Sequence, residues 1–395
     1  MRAGRLIRQI EGYRAFIPAP LPPDPKLEFD DELIGLLSRA DRALGRLDGI
    51  TSILPNPDLF VAMFVRNEAV LSSQIEGTQS TLDDVLEFEL EEGAEDLPTD
   101  VGEVVNYVNA MNHGLDRLKD LPLCLRLIKE IHERLLRGTR GGEKTPGEFR
   151  RTQNWIGPEG CNLNTATFVP PPVHEMHPAL DSLERFLHDV DTFPVLIHCG
   201  LAHAQFETIH PFIDGNGRIG RLLITFLLCQ REILHRPLLY LSSYLKAHRL
   251  EYYDRLMAVR LAGDWEGWIK FFLRGVFEVS QTASDTARKI LELRERHRQR
   301  VTGQPLLDYL FEQPRVSIPM IQKRLDCTFP TAAKYVEQFV EEGLLRETTG
   351  RQRNRRYRFD PYLSLFESAE FAPFTKAENG GQQASQPPIE EIGPG

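Results

Sequence analysis

Between Ile209 and Leu223 the chain reads IHPFIDGNGRIGRLL, which gathers an imidazole, a carboxylate, a glycine-rich turn and two arginines into twelve residues. Gly215 and Gly217 permit backbone conformations that other residues resist, so successive N–H groups of the turn can converge on an anion. A helix starting at that turn would add the positive end of its dipole to the same field. The expected chemistry is phosphate binding. Arg218 and Arg221 stand three apart on the first turn of that helix and can reach further phosphate oxygens on one side. Asp214 is a hard oxygen ligand beside the cradle, a donor suited to Mg²⁺ shared with phosphates. His210, at the end of the preceding apolar helix, can accept a proton from an incoming hydroxyl at neutral pH. Phe212 is expected to point inward as an anchor. A lone histidine or a lone Gly-Asn-Gly is ordinarily structural, and it is their joint occurrence that points to chemistry.

These residues need a scaffold, and the apolar spacing supplies a nearly all-α one. Helical periodicity runs over Asp31–Leu47 and again through PDLFVAMFVRNEAVLSSQIEG, which Gly77 stops; Ser80, three residues before Asp83, starts another helix as a weak capping box. Residues from about Val101 to Arg137 read as helical throughout. The stretch from Gly138 to Pro172 changes abruptly to loop and short hairpin, and helices resume over His177–Asp189, Phe193–Ile209, Asn216–Leu234 and on to about Phe277. Before all of these, the prolines of IPAPLPPDP fix an extended strap. After them, residues 304–359 give three short helices and a two-stranded wing, the pattern of a winged helix-turn-helix. The expected organisation is 1–100 for the strap and first helices, 101–280 for a catalytic core, 281–302 for a linker helix, 303–362 for the winged helix and 376–395 for a disordered tail.

Bulk properties bound the function. At 395 residues, 41% hydrophobic and 26% charged, the chain has the composition of a globular protein of two or three domains. A net charge of −10 argues against a protein that coats nucleic acid and confines any DNA contact to a local basic patch. The five cysteines have no paired spacing, which suggests neither a disulfide framework nor a zinc site and fits a reducing cytoplasm. The longest apolar run, LLITFLLC, is far short of a membrane span, so no membrane partner is expected. His198 and His203 precede His210 by twelve and seven residues, spacings that do not suit two metal ligands on one helix. The aromatic run from Tyr252 to Phe272 has the spacing of core packing.

The motif resembles the signature of Fic domains, His-x-Phe-x-[Asp/Glu]-Gly-Asn-Gly-Arg-x-x-Arg, at every fixed position from His210 to Arg221. GEFRRTQNWIG (147–157) and FVPPP (168–172) are similar to the family's access and flap segments, and the resemblance covers roughly the first 280 residues. It implies a helical bundle with a β-hairpin flap, and an enzyme that moves AMP from ATP to a Ser, Thr or Tyr hydroxyl of a protein, including itself. His210 would be the general base, and Asp214 would hold Mg²⁺ on the α and β phosphates. Asn216 and the amides of Gly215 and Gly217 would form the anion hole. Arg218 would grip the β-phosphate and Arg221 the γ-phosphate, while the hairpin before Val169 would dock the target by strand addition.

SSQIEG, from Ser72 to Gly77, resembles the family's inhibitory helix, [Ser/Thr]-x-x-x-Glu-[Gly/Asn]. Ser72 and Glu76 stand four apart on one face. A bidentate pair of Glu76 with Arg221 would take that arginine from the γ-phosphate and hold the site inactive. Two other functions remain open from sequence: removal of AMP by a water that Glu76 positions, or a DNA-binding regulator whose Fic domain senses nucleotide. In the C-terminal unit, Arg346, Arg351, Arg353, Arg355, Arg356 and Arg358 concentrate on the wing, and residues 328–358 are the expected DNA contact. Lys334 lies on the third helix beside Glu337, Glu341 and Glu342, so only that helix's N-terminal end, near Thr328 and Thr331, suits a groove.

Overall fold

The computed structural model describes residues 2–52, 57–90, 98, 100–138, 145–158, 160–298 and 303–367; the expected tail at 376–395 lies outside them. The chain opens with a hairpin, β1 (Gly4–Arg8) and β2 (Arg14–Pro18), paired antiparallel with Gly4 opposite Pro18. The prolines alone predict no more than an extended strap here. Phe16 and Ala15 of β2 are buried, and Phe16 N–H donates to Val169 O at 2.9 Å, so the strap backs the flap region. Gln205 Nε2 donates to Ala19 O at 2.8 Å and fastens the strap to the core.

The helices that follow are α1 (Asp31–Ser52), α2 (Pro57–Ile75), α3 (Leu82–Leu90), α4 (Val101–Arg117) and α5 (Leu125–Leu135). The span 101–137, expected to be helical throughout, is two helices with a non-helical break between them. Pro122 cannot donate to a helical ladder, and Leu123 N–H is taken instead by Gln230 Oε1 at 2.6 Å. At α3 the expected capping box moves by one residue. Thr81 and Asp84 make it, with Thr81 N–H to Asp84 Oδ2 at 2.8 Å and Asp84 N–H to Thr81 Oγ1 at 3.2 Å, whereas Ser80 Oγ bonds to Asp100.

The central layer consists of α6 (Val173–His188), α7 (Val195–Ile209) and α8 (Asn216–Gln230), followed by α9 (Ser242–Ala247), α10 (Arg249–Ala262) and α11 (Trp265–Arg298). Helix α7 is buried on every side from Leu196 to Ile209, since α6, α8 and α11 pack around it. A helix that is apolar all round must be interior, and this one sets the position of the motif that follows it. The expected separate linker at 281–302 is, through Arg298, the outer half of α11, which packs on α1 and continues unbroken from the core.

The C-terminal unit comprises α12 (Gln304–Glu312), β3 (Arg315–Ser317), α13 (Ile318–Leu325), α14 (Phe329–Glu341), β4 (Arg346–Glu347), β5 (Arg356–Arg358) and α15 (Asp360–Glu367). Its wing is three-stranded in the order β3-β5-β4, because Arg315–Ser317 adds an edge that the sequence pattern does not show. Helix α15 is a further addition to the expected pattern. Its Phe366 meets Phe64 of α2 edge-on at 5.3 Å and ties this unit to the first helices. The fold is mainly α, as the sequence implies.

Candidate active site

Helix α7 ends at His210, whose backbone is left-handed (φ 49, ψ 60). Non-glycine residues rarely hold that conformation unless the surroundings enforce it. Here they do. His210 O accepts from Arg150 Nε at 3.0 Å and Asn154 Nδ2 at 3.2 Å, Pro211 O from Arg150 N–H at 2.9 Å, and Phe212 O from Asn154 Nδ2 at 2.8 Å. Arg150 is itself buried and reaches Pro171 O at 2.5 Å, so one guanidinium joins the motif to the flap base. Burial depresses the Arg150 pKa to about 10, which leaves it charged at neutral pH.

The turn from Phe212 to Asn216 closes on itself. Phe212 N–H donates to Asn216 Oδ1 and Asn216 Nδ2 donates to Phe212 O, both at 2.8 Å. The Asn216 side chain is therefore occupied by the loop, and any hold it has on an anion comes through its backbone N–H. Gly215 caps α8 with φ 77, a conformation that costs glycine nothing. Phe212 points inward, as expected, and stacks on His132 with centroids 3.7 Å apart. His132 Nδ1 accepts from Gly147 N–H at 2.9 Å, so Nε2 carries the proton and donates to Asp214 O at 3.1 Å. Burial pushes the His132 pKa down to about 4, and it stays a neutral structural strut.

Around this frame the charged groups converge. His210 is buried except at its outer edge, with Nδ1 inward at 4.0 Å from Glu207 Oε2. Burial first, then Arg260 and Arg150, lower its pKa to about 3, so the ring is an unprotonated acceptor at neutral pH. Glu207 is pushed up to about 7 by its own burial. The Asp214 carboxylate is a third exposed, accepts from Gly215 N–H at 2.6 Å and lies 3.9 Å from Arg218. Arg218 Nη1 bonds Glu103 at 2.9 Å, while its buried Nε has no hydrogen-bond partner among the described residues.

Arg221 is buried and faces α2. Its Nε donates to Ser72 Oγ at 2.8 Å, and its Nη2 donates to Ser72 O at 3.0 Å and Glu76 Oε1 at 2.6 Å. The expected bidentate pair with Glu76 is therefore one contact to Glu76, with Nε and Nη2 also held by Ser72. The fork is divided because Ser72 sits one helical turn earlier on the same face. Burial opposes the Arg221 charge, but Glu76 together with Tyr252, Tyr107 and Glu207 outweighs it, and the pKa lies above its ordinary value. A Cβ built on Gly217 would fall 2.2 Å from Glu76 Oε1, so the carboxylate rests against the first turn of α8, where the helix dipole favours an anion. Gly77 follows with φ 102 and ends the turn that carries Glu76.

Among the described residues, the expected flap segment is held by an antiparallel bridge, Ile156 opposite Phe168, with N···O distances of 2.8 and 3.0 Å. Trp155 beside it is exposed. Sequence reasoning did not single out His132, Asn154, Glu103, Glu207 or Arg260, which bonds Glu207 O at 3.0 Å and lies 3.9 Å over the Phe168 ring. His198 and His203 are core residues. His203 bonds Gly220 O and Tyr252 Oη, and His198 stacks on Phe186.

The wing arginines divide into two sets. Arg356 pairs with Glu87 and Arg358 with Asp83 and Asp360, so these two face the protein, while Arg346 pairs with Asp360 at the exposed surface. Arg351, Arg353 and Arg355 are exposed, as are Thr328, Thr331 and Lys334 at the start of α14.

Among the described residues no helix is long and apolar enough to cross a membrane. Residues 34–116 match the Fic/DOC family N-terminal model, 122–228 the Fic/DOC family model and 304–358 an HTH DNA binding domain. The chain is 32% identical over 169 residues to a protein adenylyltransferase Fic of Aedes aegypti and 31% identical over 170 residues to one of Culex quinquefasciatus. Each match covers 41% of this chain and 29% of the relative, so it spans under a third of those proteins. In fold the chain is similar to a Fic family protein of Desulfovibrio desulfuricans (TM-score 0.55, 20% identity, 84% of this chain and 97% of that one). It is also similar to a Fic domain containing signaling protein of Bacteroides thetaiotaomicron (TM-score 0.51, 18% identity, 65% and 97%).

Proposed function

Because the chain belongs to the Fic/DOC family across residues 34–228, we propose that it is a cytoplasmic protein adenylyltransferase, held inactive by Glu76, which moves AMP from ATP to a hydroxyl of a protein, itself included. The observation that carries this reading is the meeting of an unprotonated His210, the anion cradle of α8 and the Glu76–Arg221 pair in one site.

In this reading the backbone N–H groups at Gly215, Asn216 and Gly217 and the guanidinium of Arg218 bind the phosphates. The unpartnered Nε of Arg218 is a buried donor that a phosphate oxygen would satisfy. The outward Nε2 of His210 accepts the proton of the target hydroxyl as that oxygen attacks the α-phosphorus; one P–O bond forms, the bond to the β-phosphate oxygen breaks, and pyrophosphate leaves. Positioning and charge stabilisation supply most of the rate. Residues 156–168 would hold the target segment by strand addition beside Trp155.

The residues present fit Mg²⁺. Among the described residues no three-ligand cluster exists, but this cation takes one or two carboxylates with phosphates and waters, and the partly exposed Asp214 lies beside the cradle. Bound there, Mg²⁺ would neutralise phosphate charge. Asp214→Ala is expected to lower AMP transfer and abolish its response to magnesium; a parental rate with a normal magnesium titration contradicts the assignment.

The winged helix is proposed to bind DNA through the exposed wing and the start of α14. Neutralising Arg351, Arg353 and Arg355 should weaken duplex binding and flatten its salt dependence, by about one slope unit for each phosphate no longer neutralised. If the parent binds no duplex at low salt, this unit docks protein instead. The proposed activity itself is tested by incubating the protein with ATP and locating AMP on Ser, Thr or Tyr by mass spectrometry. Loss of an AMP-removing activity in Glu76→Gly would favour hydrolysis over transfer.

A further inference from the structure

Behind the inhibitory turn, where α2, α3 and α9 meet β5 and α15, lies a cavity of about 500 Å³. Asn67, Val70, Leu71 and Gln74 form its α2 wall, at the spacing of one helical face. Gln74 belongs to the SSQIEG segment and stands two residues from both Ser72 and Glu76. It therefore faces roughly the opposite side of the helix from the Arg221 contact. The remaining walls are apolar at Leu82, Leu363 and Phe366, basic at Lys246 and Arg358 and acidic at Asp83.

The charges in this cavity are not equivalent. Arg358 is paired with Asp83 and Asp360, and Asp83 also meets Arg315, so these groups neutralise one another. Lys246 is different. Its Nζ donates to the neutral amide oxygen of Gln74 at 2.7 Å, and no carboxylate among the described residues pairs with it. A half-buried ammonium that meets only an amide gains from an anionic partner.

We infer that this cavity binds a small organic carboxylate with an apolar body, its charge on Lys246 and its hydrocarbon against Leu82, Leu363 and Phe366, and that this ligand releases the inhibitory turn. The coupling runs through Gln74. Its amide bridges Lys246 on one side and Ser80 O at 2.9 Å on the other, and so fixes the backbone on either side of Glu76. A carboxylate that takes the Lys246 ammonium removes that end of the bridge, and the turn carrying Glu76 is then left to the Gln74–Ser80 bond, the Asp100 contacts of Gln79 and Ser80 and the Arg221 pair. Because α15 and β5 form part of the wall, the site exists only while the winged helix is docked on α2.

The coupling, though not the binding, rests on the proposed AMP transfer, so the two are read separately. Calorimetric titration of the full chain without ATP uses 3-phenylpropionate and its neutral counterpart 3-phenylpropanol. The carboxylate is expected to bind at least about tenfold tighter than the alcohol. Lys246→Met should erase that preference, and Ala247→Phe, which narrows the cavity, should weaken both probes. Equal affinities for the two probes, or a Lys246→Met variant with parental preference, would overturn the site. Saturating carboxylate should raise AMP transfer severalfold in the parent and leave Glu76→Gly unchanged. Saturation with no rise in the parent, where Glu76→Gly is active, overturns the coupling. An inactive Glu76→Gly would count against the proposed function and leave the binding result standing.

Discussion

Glu76→Gly should raise AMP transfer at least roughly tenfold over the parent, including transfer onto the protein itself. The carboxylate occupies Arg221 at 2.6 Å and lies against Gly217 in the anion cradle, so its removal frees both an arginine and the helix terminus for the triphosphate. Arg221 is buried, but about a third of the Glu76 side chain remains exposed, so the pair is worth less than a fully buried one. An effect of about 1.4 kcal/mol on the barrier is a factor of ten. Arg221→Ala should not imitate the activation, since it removes the proposed γ-phosphate ligand together with the restraint. Equal label incorporation by the parent and Glu76→Gly, with both active, would reduce the segment to an ordinary helix end.

His210→Ala should abolish AMP transfer while ATP binding survives. The phosphate cradle is built from backbone groups of Gly215–Gly217 and from Arg218, none of which uses the imidazole. The left-handed backbone at 210 is imposed by Arg150 and Asn154 through the carbonyl, which alanine retains. Loss of the base should therefore appear as a fall in kcat with little change in nucleotide affinity. To isolate this, the substitution is best made in the Glu76→Gly background, with nucleotide affinity measured by titration. Transfer at the undiminished rate would remove His210 from the mechanism.

The site is legible in sequence where its chemistry is contiguous. Eight fixed positions in twelve residues specify the turn and the start of α8, and Ser72 and Glu76 announce their shared face by a spacing of four. The partners that hold these groups are not legible, because each comes from a distant element. Arg150 clamps the His210 carbonyl across sixty residues, and Glu103 meets Arg218 across more than a hundred. Helical periodicity reports which face is buried but not which side chain lies opposite. The wing shows the same limit. Six arginines in a short span read as one basic surface, yet Arg356 and Arg358 are drawn to Glu87 and Asp83 of α3. Nothing local to the wing distinguishes them from Arg353. Helix boundaries fail where the break itself carries apolar residues, as at Leu118–Cys124 around Pro122 between α4 and α5, and the β1–β2 hairpin escapes notice because a five-residue strand shows too little alternation.

The central claim is that the triphosphate is cleaved at its α-phosphorus with His210 as base once Glu76 is out of the way. The most direct measurement offers Glu76→Gly the same target protein with ATP labelled at either the α or the γ position, alongside Glu76→Gly/His210→Ala. The account predicts α-label on protein hydroxyls, no γ-label, and no label of either kind with the double mutant. Transfer of γ-label, or α-label undiminished without His210, would contradict it.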